Sequence, residues 1–171
     1  MDNLIIISQV GIGKIKLGMS RDEVHKLMGT DLSRIKNGNI VCDTYFDSCF
    51  RIEYDNNIVN FIEIVNSITK YYHVVFEEVD IFNTTAKNLV SYAQQFSKYL
   101  DTPSAQAGFM YIFEDIGMSL YRSNVFKEET MNEPWFLQMN KEQKEDELRW
   151  QYFESVSIWS KGYYDSVNLF L

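Results

Sequence analysis

The stretch YFDSCFRIEYDNNIVNFIEIVNS, residues 45–67, constrains the fold more than any other part of the chain. Two runs alternate apolar and polar residues on either side of Asp55-Asn56-Asn57. Asn and Asp tolerate the left-handed backbone that a tight turn demands, so the stretch predicts a β-hairpin. Period-two alternation puts Phe50, Ile52 and Tyr54 on one face of the outgoing strand. It puts Ile58, Asn60 and Ile62 on one face of the return strand. A hairpin patterned this way calls for an antiparallel sheet with a buried face.

The rest of the chain supplies helices and more strands. Ser20 with Glu23 three residues on makes a capping box, Met19 and Val24 suit a hydrophobic staple, and Gly29 is a stop signal. Residues 20–28 therefore predict one short helix with Val24, Leu27 and Met28 inward. KIKL before it alternates like a short strand. YYHVVFEEVDIF, residues 71–82, reads as one strand or two short ones. The period then changes: Leu89, Ala93, Phe96 and Leu100 fall at helical spacing, with Asn83, Thr84 or Thr85 as cap and Asp101-Thr102-Pro103 as the end. AGFMYIFEDIGMSLYRS is a second hairpin, with Gly117 near its turn. Ser123 to Leu148 is polar, interrupted by Pro134-Trp135-Phe136-Leu137, and KEQKEDEL at 141–148 is an exposed helical turn or a loop. WQYFESVSIWSKGYYD closes as a strand. Tyr152, Glu154, Val156 and Ile158 lie on one of its sides; Phe153, Ser155, Ser157 and Trp159 lie on the other.

This order gives α-β-β-β twice, as a repeat of pattern without repeated residues. The expected fold is α+β: antiparallel sheet or sheets with helices on one face, in two successive α-β-β-β-like halves. The chain reads as a single domain, 1–171, with halves at about 1–78 and 79–171. Whether the halves share one sheet is open at this level.

GIGKIKLGMS, residues 11–20, nearly spells a phosphate-binding loop, G-x-x-x-x-G-K-[ST]. The Lys that reaches the terminal phosphates is replaced by Met19. The dinucleotide pattern G-x-G-x-x-G fails as well, since its third glycine falls at Lys16. These glycines serve turns. No G-x-S-x-G, H-E-x-x-H or calcium loop occurs. The two His, His25 and His73, have no nucleophile signature nearby. Glu77 and Glu78 are strand neighbours and point to opposite faces, so with Asp80 they read as solvated charge. Cys42 and Cys49 fit no zinc spacing and are too few for a disulfide scaffold. No catalytic residue, metal or cofactor is expected.

Charge points to a kind of partner. Acidic residues number 24 against 16 basic, a net charge of −8, which disfavours nucleic acid and favours a basic protein. MDNLIIIS lacks the features of a secretion signal, and no stretch is long enough to span a membrane, so a cytoplasmic location with reduced thiols is expected. Glu128, Glu129 and Glu133 precede Trp135, and Glu142, Glu145, Asp146 and Glu147 follow it. Lys127, Lys141 and Lys144 dilute this cluster. Charge runs of this kind are commonly just solvated, and Trp135-Phe136-Leu137 can equally tuck the loop onto the sheet. Aromatic residues in an acidic loop also suit a cationic partner: acids speed encounter and desolvated aromatics slow dissociation. Asp43 and Asp47, before the first hairpin turn, join the candidate partner face.

GKIKLGMSRDEVHKLMG near the start, YIFEDIGMSLYR past the middle and FESVSIWSKGYYD near the end resemble small bacterial immunity proteins. These neutralise toxin domains in contact-dependent inhibition and other polymorphic toxin systems. Together the pieces cover about a quarter of the chain, and none is a catalytic signature. The opening I-x-L-G-M-S-x-x-E-V also resembles the small lipoproteins of the outer-membrane barrel-assembly machine and the β-lactamase inhibitor protein fold. Those lipoproteins carry a signal peptide and a lipidated Cys that this sequence does not show, so only a local helix-plus-sheet unit carries over. The immunity resemblance implies inhibition by binding, one-to-one, of a cognate basic toxin domain such as a nuclease. It implies no catalysis and does not identify the partner-face residues, which come from charge and position. Two other classes remain: an adaptor acting by self-association, and an enzyme with an unrecognised carboxylate site.

Overall fold

The computed structural model describes residues 1–29, 33–37 and 40–166. The apolar run at the start forms strand β1 (Asp2–Ile7), followed by the two-residue strands β2 (Gly11–Ile12) and β3 (Ile15–Lys16). Helix α1 (Arg21–Met28) begins at Ser20, whose side chain accepts from the Glu23 amide while Glu23 reaches back to the Ser20 amide. That is the reciprocal cap read from the sequence. Val24 is buried and Met28 packs against the core, but Leu27 is exposed, so the helix buries a narrower stripe than expected.

Four strands follow in a meander: β4 (Ser33–Asn37), β5 (Ile40–Tyr45), β6 (Phe50–Asp55) and β7 (Ile58–Val65). The β6–β7 turn is the two-residue hairpin predicted at Asn56-Asn57, with φ of 49° and 68° at the two positions. Such a pair of positive φ values matches the twist of the flanking strands. A bulge after Glu53 overturns the expected face of β7: Phe61 lies opposite Glu53 and Val59 opposite Tyr54, leaving Asn60 as the extra residue. Val59, Ile62 and Ile64 are buried in the core, while Ile58 is exposed.

After a 3-10 segment at Asn66–Lys70 come β8 (Tyr72–Phe76) and β9 (Val79–Asp80), so residues 71–82 form two strands. Helix α2 (Ala86–Ala93) buries Leu89 and Ala93 but stops there, and Phe96 is exposed. Thr102 and Pro103 open a new helix rather than ending the old one. α3 (Pro103–Ala107) has the Thr102 side chain as its cap and proline in its first turn. The second hairpin pairs β10 (Met110–Phe113) with β11 (Met118–Tyr121), and Gly117 takes the left-handed conformation between them. Two short helices, α4 (Pro134–Leu137) and α5 (Lys141–Leu148), precede β12 (Ser155–Trp159) and the terminal turn α6 (Tyr163–Ser166).

The strands form two sheets. One is ordered β3-β2-β1-β8-β9 and the other β10-β11-β12-β7-β6-β5-β4. The larger is antiparallel throughout; in the smaller, β1 and β8 pair in parallel. That parallel pair departs from the all-antiparallel expectation. It is reached by a long crossover through α1 and the meander, as parallel pairing requires. Strands from both expected halves meet in the larger sheet, where β12 pairs with β7. The core lies between the sheets and under α2, with Phe50, Ile62, Phe76, Leu89, Phe113 and Ile158 among its members. Phe61, Ile112 and Trp159 form a smaller cluster with Tyr163 and Tyr164 of α6. Strand alternation places it on the reverse face of the larger sheet.

Asn57→Val puts a β-branched residue at φ 68° and is expected to cost about 1–2 kcal/mol, whereas Asn57→Gly should be neutral or stabilising. Urea denaturation of the two variants checks this.

Candidate functional site

The acidic segment is a long excursion between two neighbouring strands, leaving the sheet after β11 and returning at β12. Its base is closed by Arg122. Nε donates to the Gly108 carbonyl at 2.9 Å and Nη1 to the Trp150 carbonyl at 2.9 Å. The guanidinium lies 5.4 Å from the centroid of the Phe153 ring. One side chain at the start of the excursion thus grips its far end.

Phe126 and Phe136 are both buried and pack at 5.3 Å between ring centroids. Lys144 lies 5.7 Å over the Phe136 ring and donates to the Leu137 carbonyl. Asn140 and Gln143 make a second capping box at the start of α5. The segment is therefore ordered by a small apolar base, two caps and a cation–π contact. α5 itself buries no residue and is polar on all sides. It is a helix, which resolves the choice left open for residues 141–148.

On this base Trp135 is 47% exposed and Leu137 60% exposed. Trp135 stands edge-on to Phe136, with rings 5.9 Å apart at 89°. Phe136 alone of the three tucks inward, and its two neighbours face outward. Glu128, Glu129, Glu133, Glu142, Glu145 and Asp146 are exposed, and Glu147 is half-buried. Glu128 pairs with Lys87 at 3.1 Å, Glu145 with Lys141 at 3.6 Å and Asp146 with Arg149 at 3.9 Å. All three pairs are solvent-exposed and offer little resistance to a competing cation.

Asp47 is exposed in the β5–β6 turn and accepts a hydrogen bond from the Tyr71 hydroxyl at 2.9 Å. The register rows Phe50–Ile64–Val156 and Val65–Ser155–Tyr121 place this turn and the acidic segment at the same end of the larger sheet. Asp43 is different, and the expectation for it is corrected. It is fully buried, takes two hydrogen bonds from Arg21 at 2.8 and 2.5 Å, and lies 2.9 Å from His25 Nε2. Alternation along β5 turned its side chain inward, beneath α1. The hydrogen bond to Asp43 raises the Arg21 guanidinium pKa against the opposing effect of burial. Burial, then the Asp43 carboxylate, push the Tyr54 hydroxyl far up. The cluster ties helix α1 to the sheet, and the Asp43 carboxylate itself is not exposed.

Among the described residues, the His25 imidazole bonds Asp43 and the His73 imidazole bonds Asp80, and the Thr84 hydroxyl donates to the Asp80 backbone carbonyl at 2.7 Å. No group of three or more metal-ligating side chains is assembled among the described residues. Cys42 and Cys49 are free thiols. A second ionic cluster, missed in the sequence, covers the reverse face of the larger sheet. Arg51 pairs with Glu53 and Glu63, Ser155 donates to Glu63 at 3.0 Å, and the Tyr163 hydroxyl donates to Glu53 at 2.7 Å. It joins β6, β7, β12 and α6, so its role is to hold those elements in register.

Asp43→Asn should cost about 1–3 kcal/mol in chemical denaturation, because the half-buried Arg21 loses its counter-charge and one of its hydrogen bonds. Glu142→Gln and Asp47→Asn should lie within about 0.5 kcal/mol of the parent. Asp80 makes a pH-dependent contribution. Burial works to raise its pKa, but hydrogen bonds from Asn83 and His73 outweigh it and hold the group below its ordinary value of 3.8. A depressed folded pKa stabilises above the unfolded value and loses that effect as pH falls through the folded one. Asp80→Asn should therefore be less stable than the parent at neutral pH, with the gap closing as pH falls below 3.8 in a series of thermal melts. Comparison with protein-family models, with curated proteins and with solved structures finds no match to this chain.

Proposed function

We propose that this chain is an immunity protein that neutralises a cognate toxin domain by binding it through the acidic segment. The observation that supports the reading is the exposed Trp135–Leu137 pair set among exposed carboxylates on an ordered base. A helix as polar as α5 gains almost nothing from packing, so the selective value of keeping it lies in what its surface meets. Trp is the residue type most enriched where binding energy concentrates, and a rim of acids around it favours a basic partner. The partner is a basic toxin domain, such as a nuclease, whose nucleic-acid cleft or a neighbouring surface is covered one-to-one. The protein acts in the cytoplasm, without catalysis or cofactor. Among the described residues no helix is long and apolar enough to cross a membrane, in keeping with that reading.

The test is co-purification from the source bacterium at moderate salt, followed by binding kinetics with the captured toxin domain. Replacing Glu145, Asp146 and Glu147 by Lys should slow association and flatten its salt dependence. Trp135→Ala should act on dissociation, speeding it by about thirtyfold or more. If neither variant changes either rate, this segment is not the interface. A purified protein that instead forms a concentration-dependent dimer through a large apolar surface would replace immunity with self-association.

A further inference from the structure

The molecule holds a cavity of about 460 Å³ between the start of α2 and the base of the acidic segment. We propose that it binds a small monocarboxylate with an apolar or aromatic body.

Two donors carry the argument, one on the buried Arg122 side chain and one on the half-buried Gln151. Arg122 lines the cavity, is 7% exposed, and has no carboxylate partner among the described residues. Its Nε and Nη1 are used on two carbonyls, and its Nη2 has no hydrogen-bond partner among the described residues. Gln151 lines the same cavity, and its Nε2 is buried with no hydrogen-bond partner. Buried donors are almost always satisfied, and a buried cation without a counter-charge is costly. Burial in fact works against the Arg122 charge. Two such groups at one cavity describe an acceptor that carries negative charge.

The surroundings narrow the class. The first turn of α2 reaches the cavity, and its cap residue Thr85 makes no side-chain cap bond. That leaves the first-turn amides of the helix without a side-chain cap beside the cavity. Val90, Tyr111 and Phe126 provide apolar walls. At the rim Glu128 is matched by Lys87, and Glu129 and Lys127 supply one further charge of each sign. With the rim charges balanced, Arg122 is left as one net positive charge, which a single carboxylate on an apolar body matches while also meeting the walls, and which a multiply charged anion exceeds. The volume falls within the range of small-molecule sites. The proposal does not depend on the toxin reading, since it concerns the protein alone.

The test is calorimetric titration of the full chain with benzoate, phenylacetate and hexanoate, and with inorganic phosphate in parallel. Saturable binding of at least one carboxylate is expected, with phosphate weaker. Gln151→Leu should weaken it about tenfold or more while leaving the unfolding midpoint intact. Arg122→Lys, which keeps the charge but loses the planar fork, should also weaken it. The proposal is overturned by no saturation with any of the three up to about 20 mM, well above the millimolar affinity of a weak site. It is overturned equally by phosphate binding as tightly as the carboxylates, or by carboxylate binding that neither variant changes.

Discussion

The structure depends on the insertion of β12 between β7 and β11. All five of its residues are buried, because both faces of the sheet are covered there. Val156 and Ile158 face the main core, and Trp159 faces the cluster under α6. The four-strand meander and the β10–β11 hairpin touch β12 from opposite sides and do not pair with each other. The last of the described strands therefore converts two separate antiparallel units into one sheet. Folding of the larger sheet must await the most distant pairing in sequence, which is the slow kind of contact to form.

Polar groups around that seam specify register more than they stabilise. A hydrophobic strand can slip by a residue pair at modest cost, but slipping β12 against β7 would separate Ser155 from Glu63 and Tyr163 from Glu53. Buried ionic groups are weak sources of net stability and strong penalties when mispaired. The Arg21–Asp43–His25 cluster does the same for helix α1, which has only eight residues and buries only Val24 fully.

What was legible in the sequence was local. The capping box at Ser20 and the turn at Asn56-Asn57 involve residues within a few positions of each other, and their geometry is dictated by backbone chemistry. The bulge at Asn60 broke an alternation that otherwise held, because its cause is the fit of β6 against β7 rather than any residue type. Asp43 departs from its expected exposure for a related reason. An Asp near a turn is usually exposed, and its burial follows from Arg21 and His25 arriving from another element. Arg122 and Gln151 left no signal, since a lone Arg and a lone Gln have meaning only when a distant helix closes a cavity over them. The outward-facing acids were legible because exposure of charge is the default.

The closure of the acidic segment by Arg122 has an evolutionary consequence. Because Arg122, next to the end of β11, holds the far end of the excursion at the Trp150 carbonyl, the two ends are brought together independently of what the excursion displays. Substitutions at Trp135 or along α5 change the display and leave the strand pairing and the core as they were. Under the proposed binding role, a lineage built on this scaffold would retarget by rewriting the excursion alone, in the way a handle accepts interchangeable blades.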